Sequence, residues 1–187
     1  MARRFAALTA ICTVMLCTAA HADEIAVTQD NSWYQFDVDD FQSASGGLEW
    51  ITPSGNPLAF TFTAATDVLL TVVDGVYGGD RFEVLDNGHS LGLTSAATNT
   101  YPDTHFLDFD AALADSRYSF ATFLLTAGEH SVTGLLAESA LANGTPLNST
   151  VGAIRVAPVP LPASALLLLS GGGLLGFLRR RNRAALA

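Results

Sequence analysis

The chain of 187 residues has room for one folded domain with short flanking signals. Hydrophobic residues make up 49% and charged residues only 14%, which excludes a charge-driven disordered protein. The net charge is −9 with no Lys, and all 18 acids lie within residues 23–138 against Arg81, Arg117 and Arg155, so the middle of the chain repels phosphate and nucleic acid is excluded as a partner.

Residues 1–22 have the form of a secretory signal peptide. Arg3 and Arg4 make the positive start, residues 5–20 are largely apolar, and Ala20-His21-Ala22 is a small-x-small site for signal peptidase. The expected cut falls after Ala22, which leaves Asp23 as the first mature residue. Cys12 and Cys17 both lie inside the signal. The mature chain then has no disulfide, thiolate nucleophile or Cys metal site, although export would permit disulfides. Its stability must come from an ordinary core.

Residues 23–158 read as one mainly β ectodomain. Trp33, Phe36, Val38 and Phe41 predict an early strand. In Ala59-Phe60-Thr61-Phe62-Thr63 the aromatics share one face and the threonines the other. Residues 67–74 carry Val68, Leu70 and Val72 on one side and Leu69 and Val73 on the other, the pattern of a strand covered on both faces. Arg81-Phe82-Glu83-Val84 alternates, Asn87-Gly88 supplies a tight hairpin turn, and Leu91 and Leu93 resume on the return strand. Only residues 110–115 have helical composition, for one or two turns. Residues 118–126 are aromatic and β-branched, Ala127-Gly128-Glu129 turns into Ser131-Val132-Thr133, and residues 151–156 form a last strand. About eight short strands separated by turn signals predict an antiparallel β-sandwich or jelly roll.

The region is poor in catalytic chemistry. It has no Gly-x-Ser-x-Gly, no His-Glu-x-x-His and no phosphate-binding Gly loop, since Gly78-Gly79 lacks a following Lys-Ser/Thr and reads as a turn. His89, His105 and His130 sit on separate turns or strand starts without metal spacing, and read as solvated turn residues. Asp37-Asp39-Asp40, Asp80 with Asp86, and Asp103-Asp108-Asp110 are acidic groups near turns. Oxygen-only sites suit Ca²⁺, which makes Asp80, Asp86, Asp108 and Asp110 the calcium candidates. No EF-hand spacing supports them, and an acidic exported surface accounts for the same residues by solubility alone. Trp33, Trp50, Tyr77 and Tyr101 read either as a sugar-stacking row or as core, with core favoured for the two tryptophans. Asn143-Gly144-Thr145 and Asn148-Ser149-Thr150 match the glycosylation pattern but look like a polar loop. The reading is of a non-enzyme with no cofactor other than this candidate calcium.

Residues 159–187 have three parts. Val159-Pro160-Leu161-Pro162-Ala163 is stiff and non-helical, because each Pro restricts itself and the residue before it. Residues 163–178 form an uncharged Leu- and Gly-rich run, expected to be one transmembrane helix spanning about 24 Å. Arg179, Arg180, Arg181 and Arg183 come next and would stay cytoplasmic. This order resembles the PEP-CTERM group of bacterial sorting signals in its VPLPA variant. Leu161 stands where the better-known motif has Glu. The resemblance implies a membrane-embedded exosortase-type transpeptidase, which cuts near the Pro-containing motif and passes the protein to a surface acceptor. Residues 78–92 and 128–132 resemble β ectodomains found ahead of such tails. The expectation is a non-enzymatic protein of the cell surface or extracellular matrix, membrane-anchored before processing. The alternative is a carbohydrate-binding module that holds exopolysaccharide, with a hydrolase third.

Overall fold

The computed structural model describes residues 22–105 and 107–160. Most of the expected signal peptide, including Ala20, lies outside them, as do Leu161, Pro162, Ala163, the helix expected over 163–178, and Arg179, Arg180, Arg181 and Arg183. Among the described residues no helix is long and apolar enough to cross a membrane.

In chain order the elements are β1 (Asp23–Ala26), β2 (Tyr34–Asp39), β3 (Leu58–Ala64), β4 (Val68–Asp74), β5 (Arg81–Asp86), β6 (His89–Leu93), α1 (Phe109–Ala114), β7 (Phe120–Leu125), β8 (Gly128–Glu138), β9 (Leu141–Ala142), β10 (Thr145–Pro146) and β11 (Ser149–Pro158). One sheet runs β1-β3-β8-β5-β6, the other β2-β11-β4-β7, and β9-β10 is a small ribbon. The two large sheets face each other across a shared core. Phe60, Phe82, Val84 and Val132 come from the first, and Phe36, Val38, Leu70, Val72 and Ile154 from the second. This is a mainly antiparallel β-sandwich.

Aromatic rings set the spacing of the layers. Phe36 stacks on Trp50 at 3.9 Å and 15°, and Phe82 meets Phe36 edge-on at 5.1 Å. Two strand glycines make this possible. A Cβ on Gly134 would lie 2.3 Å from the Trp50 ring, and one on Gly152 would lie 2.3 Å from the Phe36 ring. Each ring therefore lies flat on bare backbone of the sheet. Truncating Trp50 in such a core costs about 3–5 kcal/mol.

β4 is covered on both faces, as its sequence predicts. Val68, Leu70 and Val72 enter the main core. Val73 packs instead into a second cluster with Tyr118, Ala112 and Ala153, roofed by Trp33, Phe109 and Leu113. The helix α1 supplies that roof, capped by Asp108, whose side chain accepts from the Ala111 amide. The Asn87-Gly88 hairpin has positive φ at both residues, 50° and 77°, as the turn requires.

Several expectations need correction. Phe41 is not in the early strand but in the turn after β2, where it is 95% exposed. Trp33 also lies outside that strand. The sheets are not wholly antiparallel, because the short edge strand β1 pairs in parallel with β3. The alternation around Val132 does not stop at Thr133: β8 runs on to Glu138. β3 pairs with β8 only as far as Val132, and backbone pairing to β5 on one side and to residues 48–50 on the other carries the strand through Gly134, where side-chain patterning fails.

Candidate functional site

The inward rows of three strands end in polar residues at the same end of the sandwich. On β4, Leu70 and Val72 are followed two residues later by Asp74. On β11, Ile154 and Gly152 are preceded by Thr150, and Gly152 is the register partner of Asp74. On the first sheet Asp80 stands two residues before the buried Phe82 at the start of β5. Asp74 is 0% exposed, Asp80 1% and Thr150 4%. The turn at Gly78-Gly79 sets Asp80 in place. Gly79 has φ of 126°, and a Cβ there would lie 3.1 Å from the Ala140 Cα. This close approach lets the Ala140 amide donate to Asp80 Oδ1 at 2.8 Å.

The other oxygens of the cluster are orphans. Asp74 Oδ1 and Oδ2, Asp80 Oδ2 and Thr150 Oγ1 are buried with no hydrogen-bond partner among the described residues. Burial, and next the charge of Asp80, push the Asp74 carboxyl well above the usual carboxylate range. Burial likewise raises Asp80 to about 6. The Gly75 amide, the Asp80 amide and the Thr150 hydroxyl lie close enough to pull the Asp74 carboxyl the other way, and Thr150 does the same to Asp80. They form no bond of normal geometry with Asp74, and the Gly75 amide is already given to Val151 O at 2.9 Å.

Among the described residues the arginines are paired elsewhere. Arg81 pairs with Glu138 at 2.9 Å, and Arg117 with Asp115 at 2.7 Å. Arg155 pairs with Asp110 at 3.2 Å while lying 4.4 Å from the Trp33 ring centre.

A second polar centre lies beside an open groove of about 430 Å³ lined by Glu24, Thr61, Phe62, Asn87, Glu129 and His130. His130 is not the solvated turn residue its sequence context predicts. It lies on β8, 8% exposed, 4.9 Å from the Phe62 ring. Its Nδ1 faces Asp86 Oδ2 at 2.8 Å and its Nε2 faces Thr126 O at 2.9 Å. Both ring nitrogens are thus engaged with protein oxygens. His105 holds Asp115 at 3.0 Å, and His89 sits exposed at the hairpin turn near Asn87 O.

The structure does not bring the sequence-predicted calcium candidates together. Asp80 is in the buried cluster, Asp86 holds His130 and the Ser131 amide, Asp108 caps α1, and Asp110 accepts from Trp33 Nε1 and Arg155. Among the described residues no three His, Cys, Asp or Glu side chains gather in metal-holding geometry. The four large aromatics do not form one row. Trp50 is core at 1% exposure, Trp33 packs on Phe109, and Tyr77 meets Tyr101 edge-on at 5.1 Å. Sequence reading missed Asp74 and Thr150. Asp74 closes an apolar run as a turn acid would, and Thr150 sits in a polar string. The usable signal was inward parity: both continue the buried face of their strands.

At the C-terminal side, β11 lies between β2 and β4, pairing with both. Its last residue, Pro158, pairs with Val68. Val159 then makes a long contact of 3.4 Å with Asp67 O, and Pro160 has no amide to donate. Residues 158–183 match the family model of the PEP-CTERM protein-sorting motif. The chain carries a PEP-CTERM-type sorting signal. That signal starts where the β domain ends. It implies export, sorting to the envelope or surface, and handling by the exosortase system. No curated protein matches the chain. Among solved structures, the chain resembles the pre-peptidase C-terminal domain of collagenase from Bacillus anthracis, with 12% identity over 74% of this chain and 96% of that one, at a TM-score of 0.38. A likeness that loose carries nothing about activity or ligands.

Proposed function

We propose that this chain is a non-enzymatic surface or extracellular-matrix protein, whose β-sandwich is delivered by its signal peptide and released or transferred through Val159-Pro160-Leu161-Pro162-Ala163 by an exosortase-type transpeptidase. The observation that carries this reading is the junction at Pro158. The sorting match begins on Pro158, the final residue of β11, which is still paired to β4 there while the pairing to β2 ends at Ile154. Pro160 has no amide to continue the pairing of β11, and prolines at 160 and 162 disfavour helix in the residues before them, a sequence that favours the extended form a peptidase cleft can bind. The non-enzymatic part is supported by the buried, doubly engaged His130 and by the placement of both cysteines in the signal.

Intact mass spectrometry of the exported protein tests this. The expected species starts at Asp23 and lacks the residues after the Pro-containing motif. Pro160→Ala/Pro162→Ala should be exported and keep Ala187. Masses for wild type and the double variant that differ only by the two substitutions, both retaining Ala187, would refute processing and leave a plain membrane-anchored domain.

A further inference from the structure

We propose that Asp74, Asp80 and Thr150 form a binding site for one hard divalent cation of the Ca²⁺ class at the end of the sandwich core. The site is independent of the sorting reading, and it shares only Asp80 with the residues expected from sequence.

The starting point is unmet bonding capacity. Buried polar atoms are almost always paired, and each orphan costs about 1–3 kcal/mol or more when charged. Here Asp74 Oδ1 and Oδ2, Asp80 Oδ2 and Thr150 Oγ1 are all buried and unpartnered. They are brought together from both sheets, so they are not an accident of one loop. Thr150 matters separately from the acids. Its hydroxyl is a neutral oxygen, 4% exposed as a residue, placed in the same cluster by β11 rather than by β4 or β5.

The charge balance then selects the ligand. Two carboxylates in a dry site are neutralised either by protons or by two positive charges, and a cation would compete with those protons. Arg81, Arg117 and Arg155 are committed to Glu138, Asp115 and Asp110. A divalent ion meets the requirement alone. The donors are all oxygen, which suits a hard cation. Mg²⁺ dehydrates reluctantly and keeps several waters, whereas Ca²⁺ accepts 6–8 protein oxygens in flexible geometry. A site this buried therefore favours Ca²⁺. The orphan oxygens supply part of its shell.

The test uses the full-length chain, purified in mild detergent and stripped with EDTA, with CaCl₂ as the probe at pH 7.5. Calorimetric titration should give one Ca²⁺ per chain. A hundredfold excess over Kd should raise Tm by roughly 5 °C. Asp74→Asn and Asp80→Asn should each weaken binding by about tenfold or more while keeping the β circular dichroism signal, because each removes a buried charge without changing shape. Thr150→Val should weaken it less. Absence of binding would overturn the proposal, as would binding of equal strength in both Asn variants, which would place the ion on the acidic surface. A chain that binds no Ca²⁺ but loses stability as pH rises toward neutrality would hold a shared proton in the cluster, and that result overturns it as well.

Discussion

Asp86 and Asp74 are both acids at the ends of inner strands, and the sandwich treats them in opposite ways. Asp86 is met by His130 at 2.8 Å and by the Ser131 amide at 3.3 Å. Asp74 is more deeply buried, faces another acid and has neither oxygen bonded. The difference lies in the neighbouring strand. β8 brings a histidine to the row opposite Phe62, next to Asp86, while β11 brings only Gly152 and Thr150 to the rows near Asp74. One acid is completed by the fold itself. The other is left for something from outside.

The largest effect should come from breaking the completed centre. His130→Leu leaves Asp86 largely buried with one weak amide contact. It should cost about 3–5 kcal/mol in urea unfolding, with part of the loss recovered in the double variant with Asp86→Leu. A loss as large in the double variant as in the single would show that packing of the ring on Phe62, not the ion pair, is what matters.

The same kind of substitution should have the opposite sign at the other centre. Asp80→Asn in EDTA at pH 7.5 should raise stability by roughly 2–3 kcal/mol, because the folded protein holds that carboxyl at about 6 against an ordinary value of 3.8. A folded pKa raised above the unfolded one gives stability that is fully present below the unfolded pKa and lost as pH rises through the folded one. Without cation, wild-type stability should therefore fall from about pH 4 to above pH 6, and the slope should flatten in Asp80→Asn. Urea midpoints measured across that range check this.

Thr150→Val should move less, by about 0–1 kcal/mol in EDTA and in the stabilising direction, since it replaces an unpaired hydroxyl by a methyl group of similar shape. Thermal scans resolve that size. Asp115→Ala is the control outside both centres, at a half-buried carboxylate. Arg117 and then His105 hold its carboxyl well below the usual range, but the pairing lies at the surface and the Tm change should be the smallest of the series.

Much of the layering was legible in the chain. The alternation at Phe60 and Phe62, the two-sided run of β4 and the Asn87-Gly88 turn each act through neighbours close in sequence, so their physics is local. The parallel edge strand β1 was not legible. Its four residues carry no strong alternation, and its pairing is with residues 58–61, more than thirty positions away. The burial of His130 was hidden for the same reason: its fate depends on Asp86, which the hairpin and β8 bring across from another part of the chain. Phe41 failed in the other direction. Its position fitted the pattern, but the Asp39 side chain accepts from the Phe41 and Gln42 amides and turns the chain away before the ring can enter the core.

The chain by itself determined that the protein is mainly β, that its middle is acidic and free of thiols, and that a sorting segment comes after the domain, because composition, alternation and a contiguous motif are carried by neighbouring residues. Only the tertiary structure decided which acids are buried, and which of those are answered. Asp74, Asp80 and Thr150 are ordinary polar residues at three separate places in the sequence. They become one unsatisfied cluster only when β4, β5 and β11 set their inward rows end to end, since burial and proximity are properties of packed sheets and not of any single strand.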